Sequence, residues 1–324
     1  MIRRPPKERA PWFSALAGVQ LGKNGGGGKM EIRRVSDVLK ERYGEKIYRI
    51  SLTSGCTCPN RDGKVGVDGC SFCSGNGSGD FAPDFLPIRE QIEEGKKRIA
   101  GKTKATKFIG YFQSFTNTYG DPERLKALFH ETLDQPEIEI LSIATRPDCL
   151  EQDMVDHLSE MNKRKPVWVE LGLQTINEKT ARDFNRGYEL PVFEDAYSRL
   201  KSAGITVIVH IIFGLPGETR EDMLSTVRYL AGLDPILDGI KIQMLHVLKG
   251  TKLGREYEKD PFPLLTLAEY TEIVVEALRI LPKETVVHRF TGDGPKRLLI
   301  EPQWSWDKKK VLNYMNRAIE EAER

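Results

Sequence analysis

Little in this 324-residue sequence runs to an extreme, and each shortage removes a class of protein. No apolar run approaches the roughly 20 residues of a membrane-spanning helix, so no membrane partner is expected. Charge of one sign is lacking: 49 basic and 47 acidic residues leave a net +2. That balance neither demands nor excludes a polyanion, because a local basic patch can hide inside a neutral total. Cysteine is scarce and odd in number, five in all, which excludes a secreted disulfide framework and fits reduced thiols in the cytoplasm. The glycine-rich turn of a dinucleotide fold is missing after the first strand-like run. The tract Gly75-Asn76-Gly77-Ser78-Gly79 lacks the Lys-Ser/Thr and the following helix of a phosphate loop. At the N-terminus, Arg3-Arg4 before Trp12–Ala17 only loosely imitates an export leader, since the apolar stretch is short and holds Ser14. Gly25 to Gly28 then form a flexible tract, so residues 1–29 are expected to be a disordered tail, with Met30 as an alternative initiator.

What the chain does have is a cluster. Cys56, Cys58, Cys70 and Cys73 fall within eighteen residues, and Cys149 stands apart as a small residue expected to be buried. Such crowding points to a metal or redox centre, and two readings are open. Cys58, Cys70 and Cys73, spaced C-x11-C-x2-C, can bind three irons of a cubane and leave the fourth without a protein ligand. Alternatively, Cys56 joins them as the fourth ligand of a structural zinc in a non-catalytic binding protein, although C-x-C is a cramped bite and zinc sites usually pair two C-x2-4-C turns.

From residue 46 onward, short β-branched runs alternate with amphipathic segments. Strands are predicted at Lys46–Thr53, Lys107–Gln113, Ile138–Ala144, Val167–Leu173, Thr206–Phe213 and Ile240–Leu245. Helices are predicted near Pro87–Ala100, Asp121–Leu133, Gln152–Asn162, Val192–Ala203, Thr219–Ala231 and Leu264–Ile280. Repeated alternation of this kind means a parallel sheet of βαβ units. Polar or Gly/Pro-rich chemistry follows every strand: the cysteines, Ser114–Tyr119, Thr145–Asp148, Gln174-Thr175, Gly214–Glu218 and His246. That places it on one rim, as in barrel enzymes. The expected fold is α/β: a partial, TIM-like (β/α)6 barrel over residues 30–262, with residues 263–324 as a C-terminal helical extension packed on it.

With the three-cysteine loop after the first strand of such a barrel, the chain resembles the radical S-adenosylmethionine (SAM) superfamily. Within it the chain is similar to a bacterial family marked by Cys58-Pro59-Asn60-Arg61-Asp62-Gly63, Gly69-Cys70-Ser71-Phe72-Cys73 and Ser78-Gly79-Asp80-Phe81. The likeness continues through Thr145-Arg146-Pro147-Asp148, Glu170–Thr175, Leu245–Thr251, His288–Asp293 and Pro302–Ser305, and covers roughly residues 31–320. The wider kin are the Elongator catalytic subunit and the oxygen-independent coproporphyrinogen oxidase. Cys56 lies outside the pattern.

The resemblance implies an enzyme with a 4Fe–4S cluster on Cys58, Cys70 and Cys73, and SAM bound to its open iron. Gln113 and Ser114 fill the slot of a Gly-Gly-Glu motif in many relatives, from which this chain departs. Gln174 and Arg186 match residues that bind SAM, the latter at its carboxylate, where a guanidinium forms bidentate bonds. Thr145, His210 near the ribose and Gly214 near the adenine complete the expected cofactor contacts. His246, His288, Lys249, Arg289 and Asp293 belong to family-specific motifs and are substrate-side candidates; Trp304 and Trp306 are expected to pack the C-terminal helix. Some relatives are linked to the transfer-RNA wobble uridine, whose carboxymethylaminomethyl side chain is cut back to aminomethyl. That implies a tRNA substrate and an electron donor such as flavodoxin or ferredoxin. The alternative within the superfamily is an oxidoreductase or methyltransferase acting on a small metabolite.

Overall fold

The computed structural model describes residues 31–75, 77, 85–101 and 103–324. The expected tail and the whole Ser78–Phe81 motif lie outside them.

Seven parallel strands form one sheet: β1 (Tyr48–Leu52), β2 (Phe108–Phe112), β3 (Ile138–Thr145), β4 (Val167–Gln174), β5 (Thr206–Phe213), β6 (Gly239–Met244) and β8 (Val286–Arg289). Each strand pairs with the next, so spatial order equals chain order. A doubly wound sheet would reverse direction at a switch point; sequential order curls the sheet one way and puts the intervening helices outside. The seventh strand was not expected. It is four residues long, just behind Pro282, too short for its alternation to register.

The helices between strands follow local rules. In α3 (Pro122–Asp134) the Asp121 side chain caps the Arg124 N–H and Pro122 opens the first turn. Both α7 (Arg220–Ala231) and α9 (Leu267–Ile280) begin with reciprocal capping boxes, Thr219 with Asp222 and Thr266 with Glu269. A two-stranded antiparallel ribbon, β7 (Val247–Leu248) with β9 (Leu299–Glu301), lies beyond β6.

Because side chains alternate across a strand, every second residue points into the barrel. Ile109, Ile140, Trp168 and Ile208 form an apolar plug at the lower end with Leu39 of α1 (Val35–Tyr43) and Ile47. Two residues further along the same strands the character changes to Tyr111, Ser142, Glu170 and His210, with Arg49 on β1 and Lys241 on β6. Across the open seam, Arg34 bridges Val287 of β8 and the Arg49 Nη2 meets His288 Nδ1 at 3.0 Å. Trp304 packs on Tyr270 and donates its indole N–H to the Leu265 carbonyl at 2.9 Å. Trp306 departs from expectation: it is 47% exposed, with the Lys296 ammonium over its ring.

Candidate active site in the barrel

A single cavity of about 270 Å³ runs from the cysteine loop down to the polar layer. Cys58, Cys70 and Cys73 line its mouth. The loop that carries them is held by side chains of its own motif. Asn60 is fully buried, and its amide donates to the Asn185 carbonyl at 2.6 Å and to the Cys70 sulfur at 3.6 Å. Gly187, at φ +80°, is required there, since a Cβ would sit 2.6 Å from the Asn60 Oδ1. Arg61 donates to the Ser74 and Cys73 carbonyls. The Cys70 thiol is held well above the usual thiol range by its hydrogen bond with Cys73, by burial and by the Cys73 and Cys58 charges. A bound cation removes that penalty by favouring thiolates.

Cys56 takes no part in this mouth. It is buried in the core, with its sulfur 3.5 Å from the Arg124 Nη2. Among the described residues, no three Cys, His, Asp or Glu side chains are grouped around the position of one metal ion. A closed four-thiolate zinc needs such a point. A cubane spreads its ligands, one thiolate to each iron, and three cysteines on one cavity wall fit that arrangement. Cys149, by contrast, is buried beside Asp148, and burial pushes its thiol up to about 12.

Three arginines stand round the mouth, and their donors are engaged. Arg146 forks onto Asp148 at 2.9 and 2.8 Å and donates to the Arg186 carbonyl. Arg186 is 1% exposed. Its Nε donates to the Tyr188 carbonyl, its Nη1 to the Thr175 carbonyl, and its Nη2 pairs with Glu178 at 2.6 Å. Every nitrogen of the guanidinium expected at a ligand carboxylate thus already meets a protein acceptor.

Below the mouth, Gln113, Thr145, Gln174 and His210 line the cavity as expected. Gln113 accepts from Ser51 at 3.1 Å, and Thr145 shares a 2.6 Å hydroxyl contact with Thr118. Gln174 has φ +66°, uncommon for a side-chain-bearing residue, and turns its amide back over Gly172, where a Cβ would come within 2.6 Å. Ser114 and Gly214 are not on the cavity wall: Ser114 is buried, and Gly214 forms the left-handed turn off β5 at φ +85°.

Of the substrate-side candidates, His246, Arg289 and Asp293 reach the cavity, with Arg289 and Asp293 paired at 3.2 Å. Burial lowers His246 to about 4, so it is neutral at physiological pH. His288 lies beneath the cavity floor, edge-on to Trp168 at 5.1 Å. Lys249 is not brought in; its side chain is exposed and its backbone N–H joins Leu298.

Four cavity residues were not singled out from the sequence: Arg49, Tyr111, Glu170 and Lys241. Glu170 is fully enclosed and accepts from Ser142 and His210, each at 2.7 Å, and from the Lys241 ammonium. Burial alone would push Glu170 up, but Lys241, His210 and Arg49 together hold it well below the carboxylate range. Burial, with Arg49 and Arg289 nearby, brings Lys241 down to about 7 despite Glu170. The available signal was a charge at the centre of an apolar strand, in VWVELGL and IKIQM, where only an inward-facing partner relieves burial.

Comparison with known proteins agrees with this architecture. The chain is 44% identical over 283 residues to protein YtqA of Bacillus subtilis, covering 87% of each chain. It is 28% identical over 258 residues to archaeosine synthase subunit beta of Methanosarcina acetivorans, covering 76% of this chain and 71% of that one. Among solved structures it superimposes on Elp3 of the archaeon Methanocaldococcus infernus with a TM-score of 0.62 at 19% identity, over 84% of this chain and 63% of that chain. Residues 56–230 match the radical SAM superfamily model and residues 237–321 the radical SAM C-terminal domain. With its three-cysteine mouth on a curled parallel sheet, the chain belongs to the radical SAM superfamily, whose members use a 4Fe–4S cluster and S-adenosylmethionine.

Proposed function

We propose that this radical SAM enzyme modifies transfer RNA, cutting the carboxymethylaminomethyl side chain of the wobble uridine back to aminomethyl. The observation that carries the reading is the cavity itself. Its lower wall carries Arg49, Lys241 and Arg289, cations suited to a carboxylate. The likeness to archaeosine synthase subunit beta supports a nucleoside-modifying role.

In this reading Cys58, Cys70 and Cys73 hold the cluster, which with SAM supplies a 5′-deoxyadenosyl radical. Gln113, Thr145, Gln174 and His210 line the wall between mouth and floor and orient the cofactor. The plug of Ile109, Ile140, Trp168 and Ile208 closes the lower end to water, which protects a radical. A methylene between an amine and a carboxylate is a favourable site for hydrogen abstraction, because both neighbours stabilise the carbon radical. A flavodoxin- or ferredoxin-type donor would supply the electron that SAM cleavage consumes; loss of one electron from the carbon radical to an oxidised carrier of that kind would give an imine, and hydrolysis would release the amine and glyoxylate. A deletion strain should lose aminomethyl-type uridines and accumulate the carboxylated form by nucleoside mass spectrometry. The wild-type gene should restore them and a Cys58→Ala copy should not; unchanged nucleosides would overturn the reading.

A further inference from the structure

We propose that the floor of the barrel is a carboxylate-binding subsite, with Arg49 as its principal donor and Arg289 as its second cation. The inference rests on reading the cavity as the substrate chamber, and goes beyond it by assigning the group recognised and the residue that reads it.

Arg49 lies three residues before the end of β1, so roughly 10 Å beneath the point where the cysteine loop departs, at about 3.3 Å per residue. Its Nη2 is fixed by His288 Nδ1 at 3.0 Å. Its Nε is closed off from water and has no hydrogen-bond partner. That nitrogen is too enclosed for a ligand to reach, but Arg49 as a residue lines the cavity and, among the described residues, has no carboxylate paired with it, so its charge is left for an anion that enters.

Neighbouring carboxylates do not fill that need. Glu170 is spent on Lys241, His210 and Ser142. Asp293 serves two cations at once, Arg289 at 3.2 Å and Lys308 at 2.5 Å. Among the described residues, Arg49 has no ion-pair partner, so the floor carries uncompensated positive charge. His288 acts as a positioning residue. Arg49 and burial keep it deprotonated, so its Nδ1 accepts from the guanidinium and holds the fork in place. Trp168 braces the imidazole from below.

The anion is a terminal monoanion on a thin arm. A phosphodiester carries chain on both sides and cannot descend to a closed floor. A planar guanidinium matches a planar carboxylate through two parallel bonds. Glu170 and Asp293 on the same walls disfavour a dianion.

The test uses reconstituted holoenzyme and titration calorimetry with two probes, 5-carboxymethylaminomethyluridine and 5-aminomethyluridine, plus inorganic phosphate and glycine as competitors. The acid should bind at least tenfold more tightly than the amine. Arg49→Met should erase that preference and Arg49→Lys should restore part of it, with iron content and melting temperature confirming that each variant is folded and loaded. On full-length RNA the same variants should raise KM more than they lower kcat. Equal binding of acid and amine by the wild type overturns the subsite, whatever the variants do. Undiminished acid binding by Arg49→Met overturns the assignment of Arg49, and stronger competition by phosphate than by glycine overturns the carboxylate class. If the acid preference and its dependence on Arg49 hold while the deletion strain keeps normal nucleosides, the subsite stands and the wobble-uridine substrate falls.

Discussion

The same cavity contains two kinds of arginine. At the mouth, Arg146 and Arg186 give every guanidinium nitrogen to backbone carbonyls or carboxylates, so each knits one segment to another. At the floor, Arg49 holds a single histidine and keeps a buried N–H unmatched. The residue type is the same and the cavity is shared, yet the first set has finished its hydrogen bonding and the second has not. A cation on a cavity wall without a paired carboxylate, more than a position on a motif, is where an anion would fit.

The sharpest way to break this contrast is at the loop the mouth arginines support. Cys58→Ala should abolish cluster loading, read as the loss of bound iron, brown colour and 5′-deoxyadenosine formation. Cys56→Ala should keep all three and lose only packing against Arg124. If Cys56→Ala is the colourless variant, the cluster has been assigned to the wrong first cysteine.

Next in size is Arg186→Met. It leaves the Thr175 and Tyr188 carbonyls without their buried donor and takes the cation from Glu178, so the melting temperature should fall by several degrees. Arg49→Met removes an unsatisfied donor and should leave the melting temperature nearly unchanged. Equal losses would erase the distinction between the two sets.

A smaller effect separates Lys241 from Arg49. Lys241 titrates near 7, so the floor loses positive charge as pH rises through that value, and KM for a carboxylate substrate should climb several-fold between pH 6 and 8.5. Lys241→Met should flatten that dependence, whereas Arg49, charged throughout, cannot produce it. A pH-independent wild-type KM would remove Lys241 from the subsite.

The smallest test lies outside the cavity, at Glu218 behind β5. Burial pushes its carboxyl up to about 7, from 4.5. Between those values the folded state binds more protons than the unfolded one, so stability falls as pH rises. Glu218→Gln should therefore raise the melting temperature by a few degrees at pH 8 and give no gain at pH 5. A gain of the same size at both would show that the carboxyl carries no burial penalty.

Much of the fold was legible because parallel strands and amphipathic helices have different periods, and six alternations leave few topologies. Cys56 fell outside the pattern of the resemblance, and the structure buries it in the core, apart from the three cysteines that line the cavity. Parity was harder to read. A strand tells which residues share a face, but the turn after it scrambles the count: Gln174, in the left-handed region, comes back over Gly172, whereas Ser114 and Gly214, also just past strand ends, miss the wall. The floor was overlooked for a related reason. Arg49, Glu170 and Lys241 each look like an isolated charge in an apolar run, and only closure of the sheet shows that they face one another. Lys249 sat in a promising motif yet points to solvent, because its backbone is committed to Leu298.

The short seventh strand has a consequence for how such proteins diversify. It brings Arg289 into, and His288 beneath, a chamber whose other strands lie more than forty residues earlier. One wall of the chamber is therefore encoded well downstream of the cysteine loop, whereas Arg49 and Lys241 sit on strands of the same stretch as that loop. Exchange of the segment after β6 would reshape that one wall while leaving Arg49 and the three cysteines in place.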